Sequence, residues 1–587
     1  MTAFLQLIDV SFSYGSTRLF NHLSLTLRPG DRTGLVGHNG SGKSTLLSLI
    51  TDGEALDSGE IRKPRGLRIA LVEQFVPERL SSLSLAESTL DVLPLEQHET
   101  SRYRADELLQ RLGFSYAQAE QPVASLSGGQ QNLALLARAI LSEPELLLMD
   151  EPGNHMDVLA MAQLQRFLLA ERSLPFIMIS HDRELLNNCC NRTVFLRDRQ
   201  SHAFDLPFDT AVQALAEQDK QAAHLRNVEE KEIQRLQNSA KRLAQWGRDH
   251  DNEDLARKAK TIQKRVERLK EQQTVLSEGS VLDVKLDGNE VRAKSMLTIE
   301  KLTICTPDGK HELLDIDFQY VRPGDRIALL GVNGVGKSST IECLMHALHG
   351  TDDSVRFNPR VKLGLYDQEL REFDESAGRF DWLRERCELT DDRIKQVLLQ
   401  SGVAFADFDR PVNVLSGGER ARMMFMLFQL NKPNFLILDE PTNHIDIQGR
   451  EQLEEQLINA EATLLITSHD RRFIERVASR WWWINDGQLH ELSELDAFYD
   501  ALEYKVSATS NTDARLPTDA SDMLDATSGT LVPSLVKDSI SEDHMLERIA
   551  ELERLLTADK ARKPKFQKPK LQQQWQAELD ELWQLVD

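Results

Sequence analysis

Two glycine-rich stretches hold residues suited to binding phosphate. Gly37, His38, Asn39, Gly40, Ser41, Gly42, Lys43, Ser44 and Thr45 fit G-x-x-x-x-G-K-[ST], and Gly331, Val332, Asn333, Gly334, Val335, Gly336, Lys337, Ser338 and Ser339 repeat the pattern. In such a loop the glycines let backbone N–H groups wrap the phosphates of a nucleotide, Lys43 or Lys337 meets the β- and γ-phosphates, and the hydroxyl of Ser44 or Ser338 reaches Mg²⁺. Asp150 and Asp439 end continuous apolar runs, ELLLMD and NFLILD, where a carboxylate can hold the metal or its water shell. Glu151 and Glu440 follow at once and suit a general base that orients and deprotonates a water. His181 and His469, each in S-H-D-R after another apolar run, are placed to contact the γ-phosphate and sense its loss.

The elements that must position these groups occur twice. Gly37 and Gly331 are separated by 294 residues, Asp150 and Asp439 by 289, the S-G-G runs beginning at Ser127 and Ser416 by 289, and His181 and His469 by 288. Four motifs in one order at nearly constant offset indicate a duplicated unit of about 200 residues. In each unit a turn, RPGD, leads into a short apolar strand, then the glycine loop, then a helix. The later apolar runs read as strands buried in a parallel sheet, so each unit is expected to be α/β.

Between the units, from about 211 to 280, only Gly247 and Gly279 interrupt a helical composition, and a polar break at GRDHDNED divides it into two long helices. Residues 219–271 carry 14 Lys/Arg against 10 Asp/Glu, in a chain of 587 residues whose formal net charge is −23. Non-specific nucleic-acid binding over the whole surface is therefore disfavoured, and contact with RNA or DNA must be local. After about 505 the composition turns to Ser, Thr, Asp and Ala, and from about 541 leucines recur at helical spacing on both sides of KARKPKFQKPK. The expected organisation is 1–210 first α/β unit, 211–290 helical hairpin, 291–505 second α/β unit, 506–540 flexible linker and 541–587 a C-terminal helical hairpin with a basic tip.

The glycine loop, S-G-G, D-E-P and S-H-D together resemble the ATP-binding cassette superfamily. EPTNHID at 440–446, and more loosely EPGNHMD at 151–157, resemble the motif that marks its ABC-F group. That resemblance implies two P-loop NTPase domains closing head-to-tail, so that each ATP lies between one phosphate loop and the opposite signature. One site would join Lys43, Ser44, Gln74, Asp150, Glu151 and His181 to Ser416, Gly417 and Gly418. The other would join Lys337, Ser338, Gln368, Asp439, Glu440 and His469 to Ser127, Gly128 and Gly129. Gln74 and Gln368, in VEQF and YDQEL, match the family's glutamine that faces Mg²⁺. Tyr14 matches its adenine-stacking aromatic, for which the second unit offers no aromatic counterpart. Both sites are expected to hydrolyse ATP.

The resemblance further implies a ribosome partner, rRNA and tRNA, met by the helical linker, whose second helix LARKAKTIQKRVERLK is similar to the family's. The output would be rescue of stalled ribosomes or protection against antibiotics. About fifty residues between Gln74 and the first signature leave no room for the extra arm of some ABC-F members. The absence of a long apolar run or a secretory pattern gives the expectation of a cytoplasmic monomer with intramolecular cassette pairing and no membrane domain. Five sparse cysteines fit reduced thiols, buried or incidental. Two competing readings are a transporter energy subunit and a DNA-linked ATPase that contacts nucleic acid through the C-terminal hairpin.

Overall fold

The computed structural model describes residues 4–509 apart from 16, 54, 155, 250–252, 272–292, 307–310, 351–353, 369, 374–375 and 444. The expected C-terminal hairpin at 541–587 and nearly all of the expected linker at 506–540 lie outside the described residues.

The first cassette contains β1 (Leu5–Tyr14), β2 (Thr17–Leu27), β3 (Arg32–Gly37), β4 (Ser58–Arg62), β5 (Ile69–Val72), β6 (Leu146–Asp150), β7 (Phe176–Ile179), β8 (Arg192–Arg197) and β9 (Gln200–Phe204). Its main sheet runs β5-β6-β7-β3-β8-β9, parallel except for the final hairpin, and β2-β1-β4 form a separate antiparallel sheet. The uninterrupted apolar stretch Leu146–Met149 is fully buried because helices cover both faces of a parallel sheet.

The second cassette repeats this with β10 (Leu297–Cys305), β11 (Glu312–Val321), β12 (Arg326–Leu330), β13 (Val355–Phe357), β14 (Leu363–Tyr366), β15 (Phe435–Asp439), β16 (Thr463–Thr467), β17 (Arg480–Asn485) and β18 (Gln488–Leu492). Here one pair, Asp315 on β11 against Gln488 on β18, joins the two sheets into a nine-stranded one. Trp481, Trp482 and Trp483 lie on β17, with Trp482 in the core, and Met423–Phe428 are buried in the helix Gly417–Asn431. Burial of each such side chain contributes roughly 1.5–3 kcal/mol.

The interdomain helix runs Phe208–Asp249, three residues earlier than the expected boundary, and its partner spans Glu253–Glu271. The early start has a packing reason: Phe208 and Ala211 are buried in the first cassette, and the Phe208 ring lies 6.4 Å from that of Phe195. The two helices lie side by side, and Arg265 of the second reaches back to Glu232 of the first at 3.7 Å. The final described helix, Asp496–Thr509, extends four residues past the expected end of the second cassette and packs on the helix Val158–Ala170 of the first.

Candidate functional site

In both sheets the candidate groups gather at the carboxyl ends of parallel strands, where α/β proteins place ligand sites. β3 delivers Gly37 and the first phosphate loop, β6 delivers Asp150 and Glu151, and β7 leads into His181; β12, β15 and β16 do the same for Gly331, Asp439, Glu440 and His469. The loop then starts a helix, Lys43–Asp52 or Lys337–His349, from Gly42 at φ 91° or Gly336 at φ 106°, a left-handed geometry that favours glycine. A side chain at Gly42 would also strike the ring of Phe20, 2.8 Å from its Cβ position.

Each lysine folds back over its loop. Lys43 Nζ donates to the carbonyls of Gly37 at 2.7 Å and His38 at 3.2 Å, and Lys337 Nζ to Gly331 at 2.7 Å and Val332 at 3.1 Å. Burial lowers both ammonium pKa values, opposed at Lys43 by Glu151, Asp446 and Asp150 and at Lys337 by Glu440, Asp157 and Asp439. Asn39, Gly40 and His38 stay exposed, Val332 and Val335 pack against the core, and Ser41 Oγ is buried without a hydrogen-bond partner. Ser41 Oγ lies 2.7 Å from where a Cβ on Gly37 would sit, as a Val335 methyl does at Gly331, so both side chains pack the base of their loops.

Ser44 hydrogen-bonds Asp150 and Ser338 hydrogen-bonds Asp439, while burial raises both carboxyl pKa values. One carboxylate and one hydroxyl per site suit Mg²⁺, which keeps several waters and takes other ligands from phosphates. Gln74 is exposed beyond β5, and Gln368 lines a cavity of about 380 Å³. That cavity brings together Asn333, Lys337, Ser338, Ser339, Asp439, Glu440 and His469 with Gly128, Glu151 and His181 of the first cassette. The first signature therefore faces the second phosphate loop. Ser127 caps the helix Gly128–Leu141 by accepting Gln130 N–H, and Ser416 caps Gly417–Asn431 through Glu419. On the other side, Lys43 meets the second cassette through the charge of Asp446.

Glu151 and Glu440 sit at φ 51° and 50°, left-handed positions uncommon for non-glycine residues and concentrated at functional sites. His181 Nε2 lies 3.2 Å from Glu151 Oε1, and His469 Nε2 lies 3.3 Å from Glu440 Oε1. Tyr14 ends β1 and is three-quarters exposed, available to a ligand rather than to the core.

The likeness to known proteins follows the same duplicated plan. A model of the ABC transporter family matches residues 20–154 and again 313–443. The chain is 30% identical over 526 residues to the ATP-binding protein YdiF of Bacillus subtilis, covering 83% of this chain and 81% of that one. The chain belongs to the ABC-F family of ATP-binding cassette proteins. Other ABC-F-type relatives include the ATP-binding protein Uup of Haemophilus influenzae, 29% identical over 94% of this chain and 90% of that one, and ABC transporter F family member 2 of Arabidopsis thaliana, 27% identical over 82% and 77%. In overall fold it is similar to the archaeal ribosome recycling factor aABCE1, with a TM-score of 0.57, 17% identity and coverage of 84% of this chain and 92% of that one. As an ABC-F protein it is an ATPase with two tandem cassettes.

The two ABC-F cassettes are not chemical copies. Burial opposes ionisation of Glu151, yet His181, Asn154 and Lys43 together hold its pKa down at about 2. Glu440 is raised to about 7, chiefly by burial. His469 falls to about 3, mainly by desolvation and then by Lys337, and burial likewise lowers His181. Thr467 donates to Asp439, whereas Ile179 occupies the corresponding place in the first cassette.

Sequence reasoning missed the groups that cross between cassettes. Asp157 Oδ2 accepts Asn333 N–H of the second phosphate loop at 3.0 Å, and Asn333 Oδ1 lies 3.1 Å from His469 Nε2. Asp157 and Asp446 also cap the helices Val158–Ala170 and Ile447–Asn459, and each stands six residues after its glutamate, a repeat that could have flagged them. Arg183 pairs with Glu454, which is fully buried and also takes Arg476 at 2.6 Å.

Proposed function

We propose that this ABC-F ATPase uses its two cassettes to act on ribosomes, with ATP binding closing two composite sites around a bound state and hydrolysis releasing the protein. In each site the phosphate loop binds the triphosphate, and Ser44 with Gln74 and Asp150, or Ser338 with Gln368 and Asp439, would hold Mg²⁺, which supplies charge neutralisation on the phosphates. Glu151 and Glu440 orient and deprotonate the attacking water, His181 and His469 contact the γ-phosphate, and the signatures at Ser127–Gly129 and Ser416–Gly418 close over the opposite nucleotide. Tyr14 stacks on one adenine.

The observation that supports the ribosomal reading is the base of the linker. Asp209, on the first turn of the long helix, takes both Nη groups of Arg472, at 2.7 and 2.6 Å, and Arg472 follows the His469 loop by three residues. A change at the second γ-phosphate thus has a direct route to a basic hairpin fit to meet RNA phosphates. Among the described residues no helix is long and apolar enough to cross a membrane. We place the protein in the cytoplasm on this reading, where rescue of stalled ribosomes and protection from antibiotics are both compatible outputs.

The test is sucrose-gradient sedimentation of the Glu151→Gln/Glu440→Gln protein in cell lysate with ATP. Migration with ribosomes only when ATP is present is the expected result. Protein that stays at the top of the gradient with ATP would remove ribosomes as the partner.

A further inference from the structure

One side chain touches the switch loops of both cassettes. Arg450, on the helix Ile447–Asn459, is nearly buried, and its Nη1 donates to the backbone carbonyl of His181 at 3.0 Å and to Asp470 Oδ2 at 3.2 Å. Its Nε donates to the carbonyl of Ile445 at 3.1 Å, next to Asp446, whose charge reaches Lys43. A planar guanidinium holds these three acceptors on two nitrogens of one rigid fork, whereas an ammonium offers a single nitrogen on a flexible stem. His181 and Asp470 therefore cannot move independently without breaking a buried charge-assisted bond. At the offset of 289 the first cassette has Met161, so the tie exists in one direction only. Met161 instead fills the space beside Gly153, where an added Cβ would meet its methyl at 2.7 Å.

We propose that Arg450 is a positioning residue that couples the two ATP sites, carrying displacement of the His181 loop to Asp470 and so to the neighbouring His469. This rests on the reading that both Glu/His pairs support hydrolysis. Loss of the γ-phosphate at the first site releases His181, and Arg450 then reorients the loop that positions His469 at the second.

The test compares steady-state ATP hydrolysis by Glu151→Gln and Glu440→Gln, each alone, in the unaltered chain and in Arg450→Met and Arg450→Lys backgrounds. With Arg450 present, Glu151→Gln is expected to lower total turnover by about tenfold, within the usual range of coupling between sites. With Arg450→Met or Arg450→Lys, each single glutamate variant should keep about half the rate of its own background, as uncoupled sites require. Arg450→Lys keeps the charge, so a uniform loss of folding would show as a shifted melting transition in Arg450→Met alone. Retention of half the rate by Glu151→Gln in the unaltered chain would overturn the proposal, as would tenfold coupling that survives both Arg450 substitutions. Undiminished hydrolysis by the Glu151→Gln/Glu440→Gln chain would instead overturn the assignment of the two bases, a separate result.

Discussion

Asn154 Nδ2 donates to Glu151 Oε2 at 2.5 Å, whereas in the second cassette the Glu440 carboxylate is more deeply buried and meets the backbone N–H of His469. The first carboxylate is therefore ionised at any ordinary pH, while the second is poised near neutrality by its burial.

This gives a pH dependence that differs between sites. A base must be unprotonated, so hydrolysis at the second site should rise as pH increases through about 7, while the first site should be flat there. The kcat/KM of Glu151→Gln, which leaves Glu440 as the only base, should climb between pH 6 and 8, and that of Glu440→Gln should not. Superimposable profiles would contradict the assignment. Stability runs the other way. The folded pKa of Glu440 lies above its ordinary value of 4.5, so its contribution is fully present below that value and is lost as pH rises through about 7.

Removing both bases should separate binding from chemistry. The Glu151→Gln/Glu440→Gln chain is expected to bind ATP with affinity close to that of the unaltered chain and to hydrolyse it about 10²–10⁴-fold more slowly, the usual contribution of a general base. Nucleotide binding by equilibrium dialysis and phosphate release measure the two effects separately, and near-normal release would refute the roles given to these glutamates.

The buried ion pair across the cassettes makes a prediction about stability. Glu454→Ala would take from Arg183, itself buried, its hydrogen-bonded carboxylate, leaving Glu451 and Asp470 at 3.8 and 3.9 Å, and would also strip Arg476. Breaking one partner of a buried pair costs about 3–5 kcal/mol. Because Arg183 and Glu454 belong to different cassettes, calorimetry should show the loss as separation of the unfolding transition into two. A single transition at the original temperature would show that the pair does not hold the cassettes together.

Gly153 is where the first cassette departs from Thr442, whose hydroxyl lies 3.2 Å from that of Ser468. The atom in the way of a new side chain is the end of a flexible methionine, which can turn aside. Gly153→Ala should therefore cost no more than about 1 kcal/mol, the low end of overpacking. A loss of several kcal/mol in denaturant unfolding would mean that Met161 cannot move.

Much of this was legible in the chain itself. The phosphate loops, the D-E pairs and the S-H-D-R runs each stand directly after an apolar run, so those runs placed them at strand ends. Asp157, Arg450 and Glu454 were opaque for a physical reason. Their partners, Asn333, His181 and Arg183, are 176, 269 and 271 residues away, and contacts so distant in sequence leave no local periodicity. The unequal bases were hidden for a related reason: Glu151 and Glu440 share a motif, and the depth of burial together with the contacts of His181 and Asn154 distinguishes them. The start of the long helix was missed because Phe208 packs as core while belonging to the linker.

That helix is 42 residues long without a break, so it extends about 63 Å from its root. Anchored at one end, it behaves as a pointer with large mechanical gain: a tilt of about 10° at the root sweeps the far end through roughly 11 Å over that length. Motions too small to alter the packing of either cassette would be legible at the tip as displacements the size of a nucleotide.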